Sequence, residues 1–247
     1  MEHSVTANAL PADANIVHMG CAGFSLADVT VTPDPSGALW IASEQALVVS
    51  DLHFEKGSAF AERRVMLPPY DTAATLARLT AVIARWNPRV VVALGDSFHD
   101  RRAEARMAGL DREGLRSLTT GRDWIWIAGN HDPAPPEAIG GEAVAELRFG
   151  ALTLRHEPLP GASPGEIAGH LHPVARVWSQ SGSIRRRCFV SDGERCVMPA
   201  FGAYAGGLNI RDDAFHVLFG NAEPYAHTIG RDKIYRVPMS RCPPERN

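Results

Sequence analysis

The stretch Val48-Val49-Ser50-Asp51-Leu52-His53 begins as an apolar run and ends in an acid and an imidazole two residues apart. In an extended chain residues i and i+2 point the same way, so Asp51 and His53 can aim an oxygen and a nitrogen at one point. That is metal-ligand chemistry, although a lone D-x-H also fits a solvated turn. The same chemistry recurs at the end of every later apolar run. Gly95-Asp96 follows "RVVVAL", Gly129-Asn130-His131-Asp132 follows "DWIWIA", His156 follows "LTLR", and His170 with His172 follows "GEIAG". Five of the ten histidines and four Asp or Asn residues fall in these segments, a coincidence far rarer than one chance match. Carboxylate, imidazole and amide oxygen together suit Mn, Fe, Co, Ni or Zn, whereas a Ca or Mg site would be oxygen-rich. Asp96 is the candidate bridge, because one carboxylate can present oxygen to two cations. Two divalent cations, two carboxylates and a hydroxide leave a small positive charge, for which a phosphate oxygen is a natural guest.

The elements that must position these groups follow from hydrophobic period. "DVTVTPDPSGALWIASEQALVVSD" reads as strands separated by a Pro/Gly turn. "DTAATLARLTAVIARW" is helical, with Leu76, Leu79, Ile83 and Trp86 on one face and Asp71 as N-cap. "RVVVALGD" is a short buried strand, "DRRAEARMAGLDREGLRSL" a charged helical stretch, and "DWIWIAGNHD" a third strand. This β-α-β-α-β order predicts sheet strands with helices packed on them, and functional groups at strand ends gather in one crevice of such a sheet. Beyond His131 the pattern changes to short strands: "AVAELRFGALTLRH", "GEIAGHLHPVARVW", "IRRRCFVSDGERCVMPAF" and "AFHVLF", with "SDGER" as a hairpin turn. The second half therefore reads as antiparallel sheet. No linker separates it from the first half, so one domain over 1–247 is expected, with a metal-ligand core at about 45–175.

Composition bounds the function. The chain of 247 residues is 45% hydrophobic, enough for a real core, and its formal charge of −3 gives no globally basic footprint, so any nucleic-acid contact must be a local patch. No apolar run approaches a membrane span, and the N-terminus lacks the basic start and apolar segment of a signal peptide. The first residues and the tail "SRCPPERN" read as loose ends. Cys21, Cys188, Cys196 and Cys242 have no paired spacing and read as free thiols in a reducing cytoplasm.

D-x-H, G-D, G-N-H-D, a single His and G-H-x-H, in this order from Asp51 to His172, resemble the calcineurin-like metallophosphoesterase family. The resemblance implies an α/β sandwich of two packed mixed β-sheets flanked by helices. It also implies two divalent metal ions, manganese first and Fe or Zn as alternatives. One ion would take Asp51, His53, Asp96 and His172; the other would take Asp96, Asn130, His156 and His170. His131 matches the family histidine that protonates the leaving oxygen or stabilises transition-state charge, and Asp132 matches its orienting partner. A narrower resemblance, carried by "DLHFEKGSAF", "GDSFHD", "GHLHP", "RRRCFV" and "PAFGAYAGGLN", is to the ligase-associated DNA damage response metallophosphoesterases. It implies a cytoplasmic manganese-dependent phosphodiesterase and DNA endonuclease acting in repair, with single-stranded DNA as partner and a functional association with DNA ligase and helicase.

Lys56 and the run Arg185-Arg186-Arg187 are the candidate substrate-binding cations; the arginines equally fit an exposed strand face. Arg101, Arg102 and Arg106 read as a solvated helix face, His99 as a second-layer or surface histidine with lining the substrate cleft as the alternative, Asn209 as a turn residue, and His3, His18, His216 and His227 as ordinary. The rival enzyme reading is hydrolysis of a small phosphodiester or a nucleotide-linked lipid pyrophosphate. The rival from another class is a scaffold with a dead active site, which filled ligand positions argue against.

Overall fold

The computed structural model describes residues 17–19, 23–132, 137–179 and 182–245. The expected loose N-terminal residues, His3, Cys21 and the last two residues of the tail lie outside this set. Among the described residues, the strands form two mixed sheets. The first has seven strands in the order β2 (Phe24–Leu26), β3 (Val29–Pro33), β4 (Leu39–Ile41), β5 (Ala46–Ser50), β6 (Val90–Leu94), β7 (Asp123–Ile127) and β8 (Glu142–Val144). From β5 to β8 all neighbours are parallel. The second sheet runs β1 (Val17–Met19), β16 (Ile234–Pro238), β15 (Tyr225–Ile229), β13 (Gly182–Ser191), β14 (Arg195–Val197), β11 (Glu166–Ala168), β10 (Leu152–Arg155) and β9 (Leu147–Phe149), with β12 (Val174–Ser179) also paired to β13.

The continuous apolar runs are explained by burial on both faces. Val48, Val90, Val92 and Leu94 face the second sheet and pack with Leu154, Ile167, Phe189 and Met198. The alternate residues Leu47, Val49, Val91 and Ala93 face outward onto helices α1 (Lys56–Glu62), α2 (Asp71–Trp86), α3 (Ala103–Arg106) and α4 (Gly109–Thr119), where Leu76, Leu79, Val82, Ile83 and Leu115 meet them. Each fully buried Val, Leu, Ile, Phe or Met side chain among these contributes about 1.5–3 kcal/mol. Helix α5 (Asp213–Phe219) covers the far face of the second sheet through Phe215 and Phe219. The layers are thus helices, sheet, sheet, helix.

Four expectations change. "AFHVLF" is the helix α5, not a strand: Asp212 Oδ1 accepts the Ala214 N–H at 3.0 Å, and Phe215 and Phe219 recur at helical spacing. Asp71 does not cap its own helix; Tyr70 holds that position, and Asp71 Oδ2 accepts the Gly57 N–H of α1 at 2.9 Å. The charged helical stretch is two helices, because Met107 is buried in the core and the chain turns extended at Met107 and Ala108. The second sheet is mixed rather than antiparallel, since β11 runs parallel to both β10 and β14. The hairpin at "SDGER" joins antiparallel β13 and β14, with Asp192 Oδ1 accepting the N–H groups of Glu194 and Arg195. Cys188, Cys196 and Cys242 are free and buried. Among the described residues, no helix is long and apolar enough to cross a membrane.

Candidate metal centre

The parallel strands β5, β6 and β7 end side by side at Asp51, Asp96 and Asn130-His131. The parallel pair β10 and β11 of the other sheet ends at His156 and His170. All seven candidate ligands therefore come to one edge of the sandwich. They do not get there as strand residues. Asp51, His53, Asp96, His170 and His172 lie just beyond the strands with left-handed backbone, at φ of 53°, 47°, 45°, 67° and 48°. Two residues apart in a strand is thus the wrong reason for Asp51 and His53 to converge; consecutive left-handed turns bring them together. Asp and His tolerate this region better than most residues, but each such turn costs on the order of 1–3 kcal/mol, and such strain clusters at functional sites.

Two glycines let the turns pack. A β-carbon at Gly129 would stand 2.2 Å from Asp96 N, and one at Gly169 would stand 1.9 Å from Ser50 Oγ and 2.6 Å from Asp51 Oδ2. The segment "PAFGAYAGGLN" acts as a splint. The N–H groups of Phe201 and Gly202 donate to the carbonyls of Ser50 and Asp51 at 2.7 and 3.1 Å, and Leu208 N–H donates to the His172 carbonyl at 3.2 Å. Sequence reasoning gave this segment no chemistry; its role is to hold two ligand turns in place by backbone.

Two donor groups result: Asp51, His53 and His172, and Asp96, His156 and His170, with the ligand atoms of each group within 4.8 Å of one another. In the first, His172 Nε2 lies 3.1 Å from Asp51 Oδ1 and 3.4 Å from His53 Nε2. In the second, His170 Nδ1 lies 3.2 Å from His156 Nε2 and 3.1 Å from Asn130 Oδ1. Ligands about 2.1 Å from a shared ion would sit roughly 3.0–3.4 Å apart, so both groups fit a transition metal.

The hydrogen bonds reinforce that fit. Asp51 Oδ2 accepts from the Ser50 hydroxyl and from His170 N–H, whereas Asp51 Oδ1 is buried without a hydrogen-bond donor. His156 Nδ1 donates to the Leu94 carbonyl at 2.9 Å, which fixes the tautomer and turns an Nε2 lone pair toward Asn130 Oδ1 at 2.8 Å. Two acceptors at that distance repel unless a cation or proton lies between them. Burial pushes His53 down to about 3, leaving it the neutral imidazole that a metal requires.

His131 stands beside the ligands. Its N–H donates to Asp96 Oδ1 at 2.9 Å, its Nδ1 meets the His99 carbonyl at 3.1 Å, and its Nε2 lies 3.9 Å from Asp96 Oδ2. The group that orients the ring is therefore the His99 carbonyl. Asp132 turns inward, accepting Phe98 N–H at 2.9 Å, because adjacent side chains diverge; burial, with Asp96 nearby, pushes its carboxyl up to about 7. His99 is not a surface residue: its ring stacks on His131 at 5.5 Å and meets His53 edge-on at 5.9 Å. Burial, then Lys56 and His131, hold it below the ordinary histidine range.

The candidate cations separate. Half-buried Lys56 opens α1 close enough to disfavour charge on His53 and His99. Arg185, Arg186 and Arg187 alternate along β13 and form no common patch. Arg187 is half-buried and donates to the carbonyls of Ala200 and Ser36; burial brings it down to about 10. Arg185 donates to the Gly207 carbonyl at 2.5 Å, beside His172, while exposed Arg186 lines a groove on the other face with Ile184 and Val177. Of the three arginines expected as a helix face, Arg106 is mostly buried and grips Asp100 through Nη2 at 2.9 Å, and Arg102 pairs with Glu62 at 2.7 Å.

The family model of the calcineurin-like phosphoesterases matches residues 45–194, which contain every candidate ligand. A solved structure, that of the Pseudomonas putida nuclease MPE, superposes with a TM-score of 0.68 at 27% identity, covering 90% of this chain and 100% of that one. No curated protein matches. Strand-end ligands in two groups, on two facing mixed sheets, agree with the matched residues, and the chain belongs to the calcineurin-like phosphoesterase family, as a metal-dependent phosphoesterase.

Proposed function

We propose that this enzyme is a phosphodiesterase that cleaves DNA, with single strands preferred, in the service of DNA repair. The observation that carries the reading is the pair of donor groups with their lone pairs converging at one sheet edge. The substrate class is supported by the likeness to a nuclease over nearly the whole chain. Asp51, His53 and His172 would hold one ion, Asn130, His156 and His170 the other, and Asp96 both. Manganese is the metal proposed, with Fe or Zn as alternatives. When bound, the ions polarise phosphoryl oxygen and activate water at neutral pH.

The rest of the chemistry belongs to the chain. Because the His131 Nδ1–H is directed to the His99 carbonyl, its Nε2 faces the cleft, and the ring protonated at both nitrogens can hand its Nε2 proton to the departing oxygen. His99 and Phe60 wall the cleft beside it. Lys56 would meet a substrate phosphate. A compact crevice must present phosphorus in line, and a flexible strand bends to fit where a duplex resists. Single-domain organisation is supported by ligands drawn from both sheets. Cytoplasmic location and a functional association with DNA ligase and helicase belong to the same proposal.

One observation favours the rival substrate, a nucleotide-linked lipid pyrophosphate: Val65, Met66 and Tyr70 are exposed between α1 and α2. The test is to strip the protein of metal, restore Mn, Fe or Zn singly, and assay single-stranded DNA, duplex DNA, a chromogenic diester and the lipid pyrophosphate. Mn-dependent cleavage of single-stranded DNA exceeding that of duplex is expected. Hydrolysis of the pyrophosphate with no cleavage of any DNA would replace this function with the rival.

A further inference from the structure

The cross-strand register of the β12–β13 ribbon sets Arg176 directly opposite Arg185. Like charges placed so repel, and the face needs an anion. The structure supplies one from the end of the chain. Glu245 Oε1 lies 3.7 Å from Arg185 Nε and 3.9 Å from Arg176 Nη1, and Glu245 Oε2 accepts from Asn209 Nδ2 at 3.1 Å. The amide of buried Asn209 is fixed in that sense, because its Oδ1 accepts the Arg211 N–H at 2.8 Å. The cluster borders the metal centre. Arg185 is anchored on the Gly207 carbonyl, and a β-carbon at Gly207 would stand 2.5 Å from the His172 carbonyl oxygen.

We propose that Arg176, Arg185 and Asn209 form a phosphate subsite beside the metal centre, and that the Glu245 carboxylate fills it until a nucleic-acid phosphate displaces it. Two guanidiniums and an amide N–H offer forked donors to a phosphodiester, whose single negative charge matches that of the carboxylate it replaces. The exchange is feasible because the Glu245 ion pairs are long and its side chain is half exposed, conditions under which an ion pair contributes little. The subsite would bind a neighbouring phosphate of the strand being cut, which lengthens the bound segment beyond the reacting nucleotide. It also explains how a chain of net charge −3 can hold DNA without a broad basic face. This inference rests on the nucleic-acid reading above.

The test measures KM for a single-stranded oligonucleotide over a range of salt in four proteins: parent, Glu245→Gln, Arg185→Ser and the double variant. Glu245→Gln should lower KM about 3- to 10-fold and steepen the dependence of log KM on log salt by about 0.7, one added phosphate contact on a single strand. Arg185→Ser should raise KM, and in its background Glu245→Gln should have no effect. An unchanged KM in Glu245→Gln, or an equal drop with and without Arg185, would overturn the subsite while leaving DNA cleavage intact. A parent that turns over a chromogenic diester but neither binds nor cuts the oligonucleotide would overturn both readings.

Discussion

The chemistry of this enzyme is decided atom by atom at its ligand turns. One oxygen of Asp51 is saturated by Ser50 and His170, and the other faces the His172 ring nitrogen at 3.1 Å. One nitrogen of His156 is spent on the Leu94 carbonyl, and the other is left to bind. Such division of labour fixes which atom faces an ion before any ion arrives. His131 follows the same logic, with Nδ1 committed to a carbonyl and Nε2 free. His131→Ala should therefore keep its metal content, measured by elemental analysis, and lose roughly 10²–10⁴-fold in turnover of a DNA or alkyl diester. The loss should shrink with a nitrophenyl ester, whose phenolate leaves without a proton. An equal loss on both would contradict the proton-donor role. The residue types were legible in the sequence because the same chemistry was repeated at every strand end. What was hidden were orientations: that Asp132 turns away from His131, and that His99 turns toward it, are matters of packing that residue type does not encode.

At the scale of elements, most strands were legible from period, their pairing was not, and one element was misread where two periods overlap. Six residues of "AFHVLF" satisfy a strand pattern, and only the Asp212 cap, with Phe215 and Phe219 four apart, marks a helix. Asn209 of "AYAGGLN" read as a turn residue, but nothing in the segment marked that it would brace Asp51 and His172. Elements are also joined by buried polar contacts that a linear reading cannot pair. Arg195 and Glu166 meet at 3.0 Å, both buried, and Arg195 also holds the Leu159 and Leu218 carbonyls, tying the loop before His170 to α5. His227 on β15 stacks on Phe24 of β2 at 4.4 Å, a contact between the sheets. Burial, with Arg236 nearby, brings His227 down to about 4, so the native state keeps it neutral while the unfolded chain, with an ordinary histidine near 6.5, takes up a proton. The consequence has a definite sign. Above about pH 6.5 both states are neutral and the effect vanishes; as pH falls from there toward 4, the unfolded state gains. From pH 7 to 4.5 the parent should lose roughly 2–3 kcal/mol more stability than His227→Phe, read from urea unfolding. Parallel losses in the two proteins would show that His227 does not titrate as argued.

At the scale of the molecule, the site exists only where two sheets meet. Asp51, His53, Asp96 and Asn130 come from the first sheet; His156, His170 and His172 follow strands of the second. That joint origin was legible as a uniform chain without a linker, but which sheet each histidine belonged to was not, since pairing across many residues leaves no local mark. The central claim is that this joint edge holds two ions. Elemental analysis of the metal-stripped protein, reconstituted with manganese and freed of excess, tests it most directly. Two manganese ions per chain are expected, with Asp96→Ala losing more than any other single ligand change because both ions lose a donor. A parent that stays near zero with manganese, iron and zinc alike would contradict the account.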